Sequence, residues 1–345
     1  MMHLDSKPAA PNIFTHAPKE LSQDAFFIWL LEWSDKKVID KDLKEVSNTF
    51  IRKLLLEESD DYQITSVEIL KQFKKIDIAV IINEEYFIII EDKTHTGQHG
   101  NQLERYREAA NAEIERRKVT LTLKTIYLKT GNDSKNAKRI IETGDDYIIV
   151  NRGAILDILD DCDSSNHIFN DFVRHLKSIE ERTKSFNSKK CLASDLRAAE
   201  GFYMYLEDFL EDKDTRWAIE RGRDSYFFYH RKEFEGFRLK IQFIQVPDRS
   251  LTLAVFMIND KKESKNHIRQ VVLNLKKQPS FKKLDYKVSI RSARKTSILI
   301  VKDPFNAKDS DNIDMDHFKK CLGSMESLLD EYVNEFGGLK KSQVM

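Results

Sequence analysis

The run Tyr86-Phe-Ile-Ile-Ile-Glu-Asp-Lys93 constrains the fold of this chain more than any other stretch. Tyr86 to Ile90 is continuously apolar, which fits a central strand buried on both faces. It ends abruptly in Glu91-Asp92-Lys93, so charge is placed at the end of a buried strand. An earlier strand-like run, Lys75 to Asn83, is linked to it tightly enough for an antiparallel hairpin. A Gly-containing loop follows, and the pattern turns helical from Gly97 to about Arg117.

Around this hairpin the remaining patterns assemble into an α/β domain. Pro18 suits the first turn of a helix whose apolar stripe is Leu21, Ala25, Phe26, Trp29, Leu30 and Trp33. A second helix is expected over Asp40–Glu57 and a strand over Tyr62–Phe73. Leu121–Lys129 and Asp146–Val150 read as strands, and Ala154–Leu159 and Ile168–Ile179 as helices. The order predicts a mixed central sheet flanked by helices. We expect a flexible lead over residues 1–17, this domain over 18–182 and a polar linker over 183–190. Residues 191–345 read as an α+β domain, with a helix near Asp195–Leu210, several neighbouring strands and a closing helix over Asp314–Phe336. Substrate recognition, sensing or dimerisation are open for it. The apolar surface of the closing helix could serve a homodimer, although packing on its own sheet is the simpler use.

Composition narrows the partners. Lys and Arg number 57 and Asp and Glu 57, so no global basic field announces a nucleic acid, and any such binding needs local patches. Candidates are the runs at Lys135, Lys138 and Arg139, Arg216 to Arg223, Lys261-Lys262 and Lys282-Lys283, which otherwise serve as solvated faces. Tyr226-Phe227-Phe228-Tyr229 suits core and sheet surface, with stacking on an unpaired base as the functional option. The cysteines, Cys162, Cys191 and Cys321, form no Cys-x-x-Cys pair, which speaks against a zinc knuckle or a disulfide framework. With no signal-like N-terminus and no apolar run near the ~18 residues of a membrane span, the expected compartment is the cytoplasm. There is no Gly-x-x-x-x-Gly-Lys-Ser/Thr loop, hence no recognisable nucleotide-driven motor.

The charged strand end has a coherent chemistry. Glu91 and Lys93 are two apart and share a face, ~7 Å from one another at the usual strand rise. Asp77, on what should be the neighbouring strand, alternates with Ile76 and Ile78 and can approach Glu91 from the side. Two converging carboxylates make a hard oxygen site suited to Mg2+, with Mn2+ as a substitute. A lysine beside them can orient or deprotonate a water, or stabilise charge on a phosphate. Gln102 and Tyr106 lie four apart on one helical face, where they could support the lysine, a water or a phosphate. Glu20, with Asp24 as the alternative, could add a carboxylate from the first helix. Asp92 points to the opposite face and drops out. His95 and His99 flank a loop without a third soft ligand and suit loop or phosphate contacts.

At these residues the sequence resembles the PD-(D/E)XK nuclease superfamily. The match is Ile76-Asp77-Ile78 for the first acid, Glu91-Asp92-Lys93 for (D/E)-x-K, and Gln102-Leu-Glu-Arg-Tyr106 for the Gln-x-x-x-Tyr motif of its RecB-like and lambda-exonuclease-like branches. The text looks especially like a bacterial subgroup of nuclease-like proteins. Ile76 stands where proline is frequent. The resemblance covers about Lys19 to Val150 and leaves the chain after Thr183 outside it. It implies a restriction-endonuclease-like α-β-β-β-α-β core, Mg2+-dependent cleavage of DNA and a helix-one glutamate assisting the metal. The expectation is therefore a metal-dependent DNA nuclease in bacterial defence or DNA processing. The alternative is a catalytically silent nuclease-fold protein that binds nucleic acid or a partner.

Overall fold

The computed structural model describes residues 11–336 except 17–18, 36, 38–39, 57–60, 95–101, 145–146, 211–214, 220–224, 235, 247–249, 260–264, 292 and 307–309. The chain divides into two compact units, Met1–Glu181 and Arg182–Met345.

The first unit opens with α1 (Lys19–Glu32) and α2 (Lys41–Leu55). Asp40 caps α2 by accepting the Leu43 N–H at 3.0 Å, and the helix stops where Leu56 turns left-handed. Then come β1 (Val67–Ile69), β2 (Ile78–Ile82), β3 (Tyr86–Lys93), α3 (Gln102–Arg117) and β4 (Thr122–Lys129). The unit closes with α4 (Lys135–Gly144), β5 (Ile148–Asn151), α5 (Arg152–Leu159) and α6 (His167–Lys184), which carries the boundary. The sheet order is β1-β2-β3-β4-β5, antiparallel up to β3 and parallel from β3 to β5. This mixed sheet has the expected architecture, with β3 at its centre.

Central position explains the apolar run. Ile88 and Ile90 join the layer of α1, α2, α5 and α6, whereas Phe87 and Ile89 join the layer of α3. The hairpin that delivers β3 is set by Asn83. Its side-chain oxygen accepts the Thr65 and Ser66 N–H groups at 2.7 and 3.1 Å, and its amide donates to the Gln63 carbonyl at 2.7 Å and the Tyr62 hydroxyl at 3.0 Å. Asn83 and Glu84 have φ of 54° and 56°, the positive pair that a type I′ turn requires.

This bonding also corrects the long strand expected over Tyr62–Phe73. Only Val67–Ile69 pairs, because Tyr62 to Ser66 are engaged by Asn83 and the chain then turns left-handed at Gln72, Lys74 and Lys75. β2 likewise starts at Ile78, three residues late, and Asp77 sits at a bend before it. The alternation read through Asp77 is broken there. Ile76 packs in the α3 layer and Ile78 in the α1 layer.

Part of the expected flexible lead is ordered: Ile13–Thr15 form a 3-10 turn, and Phe14 packs on Phe172 with ring centroids 5.1 Å apart. Residues 183–190, read as a polar linker, follow directly on the division between the units after Glu181. They carry the end of α6, the 3-10 turn Ser185–Asn187 and the start of α7 (Lys189–Ser194), capped by Ser188.

The second unit follows with α8 (Leu196–Phe209), β6 (Arg216–Ile219), β7 (Ser225–Phe234), β8 (Phe237–Val246) and β9 (Ser250–Asn259). It ends with α9 (Lys265–Lys277), β10 (Tyr286–Val288), β11 (Lys295–Val301) and α10 (Met315–Phe336). Its sheet, β10-β11-β9-β8-β7-β6, is antiparallel throughout. One face carries the core, where Phe227, Tyr229, Leu239, Ile241, Val255 and Met257 meet α8, α9 and α10. α10 spends its stripe on this sheet: Phe318, Leu322, Met325, Leu328 and Leu329 are all buried in it. β6 was not foreseen, because its residues fall inside a run that reads as basic surface.

Candidate active site

The carboxyl end of β3 gathers the charged residues of the first unit. Pairing of Ile78 with Ile90 brings Asp77 alongside the end of β3, where its Oδ2 accepts the Asp92 N–H at 2.9 Å and lies 3.7 Å from the Lys93 ammonium. Lys93 also pairs with Glu91 Oε1, while Glu91 Oε2 is buried without a hydrogen-bond partner. Asp77, Glu91 and Lys93 thus converge as expected, although Asp77 arrives from a bend and not from a strand. Parallel pairing sets Tyr127 of β4 opposite Glu91, in the same apolar layer as Phe87 and Ile89.

The electrostatics follow from burial. Glu91 is 1% exposed, and its carboxyl is pushed up to about 7 by burial and by the Asp77 charge, against the pull of Lys93. Burial works to lower Lys93, but its hydrogen bond to Glu91 and the charges of Glu91, Asp77 and Glu20 outweigh it and hold the ammonium above its ordinary value. Lys93 is therefore charged at neutral pH.

α3 supports this from the side. Gln102 donates to the Tyr106 hydroxyl at 2.8 Å, and Tyr106 donates to the Lys75 carbonyl at 2.6 Å. The pair thereby anchors the left-handed turn that presents Asp77. Tyr106 still lies in the field of the cluster, since burial and then the Glu91 and Asp77 charges raise its pKa.

The two acids of α1 have different neighbours. Glu20 Oε1 accepts the Thr94 N–H at 3.4 Å and adds to the field at Lys93. Asp24 instead meets Asp92 on the other face of β3. Burial, opposed by the Asp92 hydrogen bond, raises Asp24 to about 6, and burial followed by the Asp24 charge lifts Asp92 well above the carboxylate range. Gln23 donates to Asp92 Oδ1 and accepts from Thr130 Oγ1 at 2.6 Å. Arg152 then donates to the Thr130 carbonyl at 2.6 Å, to Glu180 at 2.8 Å and to Asn132 at 2.9 Å. This chain of bonds ties α1, β3, the loop after β4, α5 and α6 together behind the cluster. Pattern reading missed it because each member finds its partner only through the β3–β4 register and the packing of α1. A buried Gln followed by an Asp on an otherwise apolar helical face was the available signal.

The close packing extends to Gly131, where a Cβ would stand 1.6 Å from the Thr94 carbonyl oxygen. Any side chain there displaces the residue that follows Lys93. His95 and His99 lie outside the described residues, as do Lys261-Lys262 and the Arg221 and Arg223 portion of its basic run. Arg139 is exposed on α4, and Lys282 and Lys283 end the 3-10 turn Pro279–Lys283.

Among the described residues no group of three or more His, Cys, Asp or Glu side chains is arranged as a cage for a metal ion. The donor set nonetheless fits a hard divalent cation that keeps most of its shell as water and phosphate, a mode that needs only one or two carboxylates. Glu91 Oε2 is buried and without a hydrogen-bond partner, Asp77 is adjacent, and both donors are oxygen.

A sequence model of the PD-(D/E)XK nuclease superfamily matches residues 11–189, more than half of the chain. The chain belongs to the PD-(D/E)XK nuclease superfamily. The superfamily match spans all five strands of the first sheet and every residue of the cluster described above. It supports a nuclease-type function, and superfamily members generally depend on divalent metals. Neither a curated protein nor a solved structure matches the chain. The second unit beyond residue 189 lies outside the superfamily match. Among the described residues no helix is long and apolar enough to cross a membrane.

Proposed function

We propose that the protein is a Mg2+-dependent deoxyribonuclease, with Mn2+ as a working substitute, of the branch that carries the Gln-x-x-x-Tyr motif. The observation that carries this reading is Glu91: a buried carboxyl raised to about 7, with one oxygen lacking a hydrogen-bond partner, between Asp77 and Lys93. A carboxylate in that state gains most from a bound cation, which favours its ionised form. Asp77 and Glu91 are assigned as the metal ligands, and Glu20 of α1 as the third acid. The ion would polarise the phosphoryl oxygen and activate a bound water. Lys93, held protonated by Glu91 and Asp77, stabilises charge on the phosphate and does not act as the base. Gln102 and Tyr106 are positioning residues for Asp77 through the Lys75 carbonyl.

A protein that binds nucleic acid without cutting it is the second reading. It is favoured by the Lys93–Glu91 ion pair, which already neutralises the carboxylate. Incubating the protein with linear and circular DNA, with Mg2+, Mn2+ or EDTA, separates the two. Cleavage that needs the metal and is lost in Asp77→Ala is expected, and opening of the circle would mark internal cutting. Robust metal-dependent cleavage by Asp77→Ala would overturn the assignment, and no cleavage of either form would favour the binding reading. The cytoplasm, and defence or DNA processing, are the proposed setting.

A further inference from the structure

The second sheet has a face that the core does not use. Phe227 and Tyr229 point into the core, so Tyr226 and Phe228 point away from it, and the register continues that outer face across the strands. One transverse row is Arg216, Phe228, Gln242, Ala254, Ile300 and Lys287. The neighbouring rows carry Tyr226 with Ile244, and Lys240 with Phe256. Cations and rings therefore alternate along a sheet surface.

Tyr226 and Phe228 are half-buried, and Phe256 is 8% exposed. Phe228, Phe256 and Tyr226 belong to none of the buried clusters formed by the described residues. Tyr226 and Phe228 lie nearly parallel, with centroids 6.1 Å apart and planes 23° from one another. Lys240 sits over the Phe228 ring at 3.7 Å, and Lys295 lies 5.7 Å from Tyr226 and 5.8 Å from Phe256. Such contacts are attractive, but a ring does not neutralise an ammonium.

Two buried polar groups on this face lack partners that match them. Lys240 is 5% exposed and forms no ion pair among the described residues, and Gln242 is 1% exposed with its Oε1 unbonded. Arg238, in the next row, has an unbonded Nε, while Glu233, paired with Arg238 across the strands, is bonded to Arg231. Burial first, and then the charges of Lys295, Arg231 and Arg238, lower the Lys240 ammonium to about 8. A cation kept in such surroundings is stabilised by an anion that approaches from outside.

We propose that the outer face of the second sheet is a binding platform for single-stranded DNA, with bases stacked on Tyr226 and Phe228, phosphates held by Arg238 and Lys295, and the buried Lys240 beside Phe228 adding its charge to the field. A single strand offers both parts of that chemistry at once, since its bases are unpaired and its backbone is anionic. A duplex offers the phosphates alone to a flat sheet face, because its bases are stacked on one another. The site lies outside the cluster of the first unit and is read without cleavage.

The test is fluorescence anisotropy with labelled oligothymidine and with a duplex of equal length, on the full chain in EDTA. The single strand should bind at least tenfold tighter than the duplex, with affinity falling as salt rises. Tyr226→Ala and Phe228→Leu should each weaken it about tenfold, the scale of one lost stack. Lys295→Glu, an exposed position that folding does not need, should weaken it at least as much and reduce the salt dependence. Equal affinity for the duplex would overturn the proposal. So would unchanged affinity in Lys295→Glu together with Phe228→Leu, whatever the DNA-cleavage assay gives.

Discussion

Each of the two sheets buries a charge that its surroundings disfavour, and the two charges have opposite sign. On β3 it is Glu91, raised to about 7, and on β8 it is Lys240, lowered to about 8. Burial leads in both cases. The difference lies in the company kept. Glu91 has a cation, Lys93, locked beside it by Asp77, so the cluster already contains both signs and can act on a phosphate. Lys240 has rings and further cations around it. A mixed cluster suits chemistry, whereas a one-signed face with stacked rings suits holding a strand.

The largest expected effect tests whether Lys93 is more than a counter-ion. Lys93→Met should lower metal-dependent turnover about 10³-fold, or about 4 kcal/mol, the scale of losing a preorganised charge at the reacting phosphate. Thermal unfolding would verify that the variant is folded. A loss under tenfold would make Lys93 a passive partner of Glu91 and erase the contrast with Lys240.

Next comes the tightness of the two units. Gly131→Ala forces a Cβ to within 1.6 Å of the Thr94 oxygen and should cost about 3 kcal/mol, seen as a fall in Tm. Gly323 of α10 has nothing within 4 Å of its added Cβ, so Gly323→Ala is the matched control and should leave Tm unchanged or raised. Equal effects at both positions would show that the strand end is as yielding as the helix.

The smallest effect is a pair of opposite pH slopes in the metal-free protein. Glu91 titrates near 4.5 unfolded and about 7 folded, so its contribution to stability falls as pH rises through that interval. Lys240 titrates near 10.5 unfolded and about 8 folded, so its penalty is complete below about 8 and is relieved as pH rises towards 10.5. Each is worth at most about 3 kcal/mol. Glu91→Gln should flatten Tm on the acid side and Lys240→Met on the alkaline side. Slopes of the same sign would break the comparison.

Much of the first sheet was legible because β3 is central: burial on both faces forces an unbroken apolar run, and only a charge with a purpose ends it. The Asp77, Glu91 and Lys93 convergence was legible for the same reason, since hairpin pairing follows from a short turn. Tyr62–Phe73 was misread because β-branched composition does not reveal that Asn83 has claimed those backbone groups. The bond that ties Gln102 and Tyr106 to the turn before Asp77 was hidden because its acceptor is a main-chain carbonyl, which no side-chain pattern reports. β6 was lost because an outward-facing arginine on an edge strand looks like surface.

The Asn83 turn has one more consequence. Side chains on a strand alternate strictly, so a hairpin holds its pattern only modulo two. One extra residue between Ile82 and Tyr86 would present Ile90 where Glu91 now stands, one fewer would present Asp92 there, and either would turn Glu91 and Lys93 towards α1. The identity of the carboxylate presented beside Asp77 is thus a matter of parity, kept by an asparagine whose side chain holds the turn to the segment before β1. Insertions there should be far less tolerable than their surface location would lead one to expect.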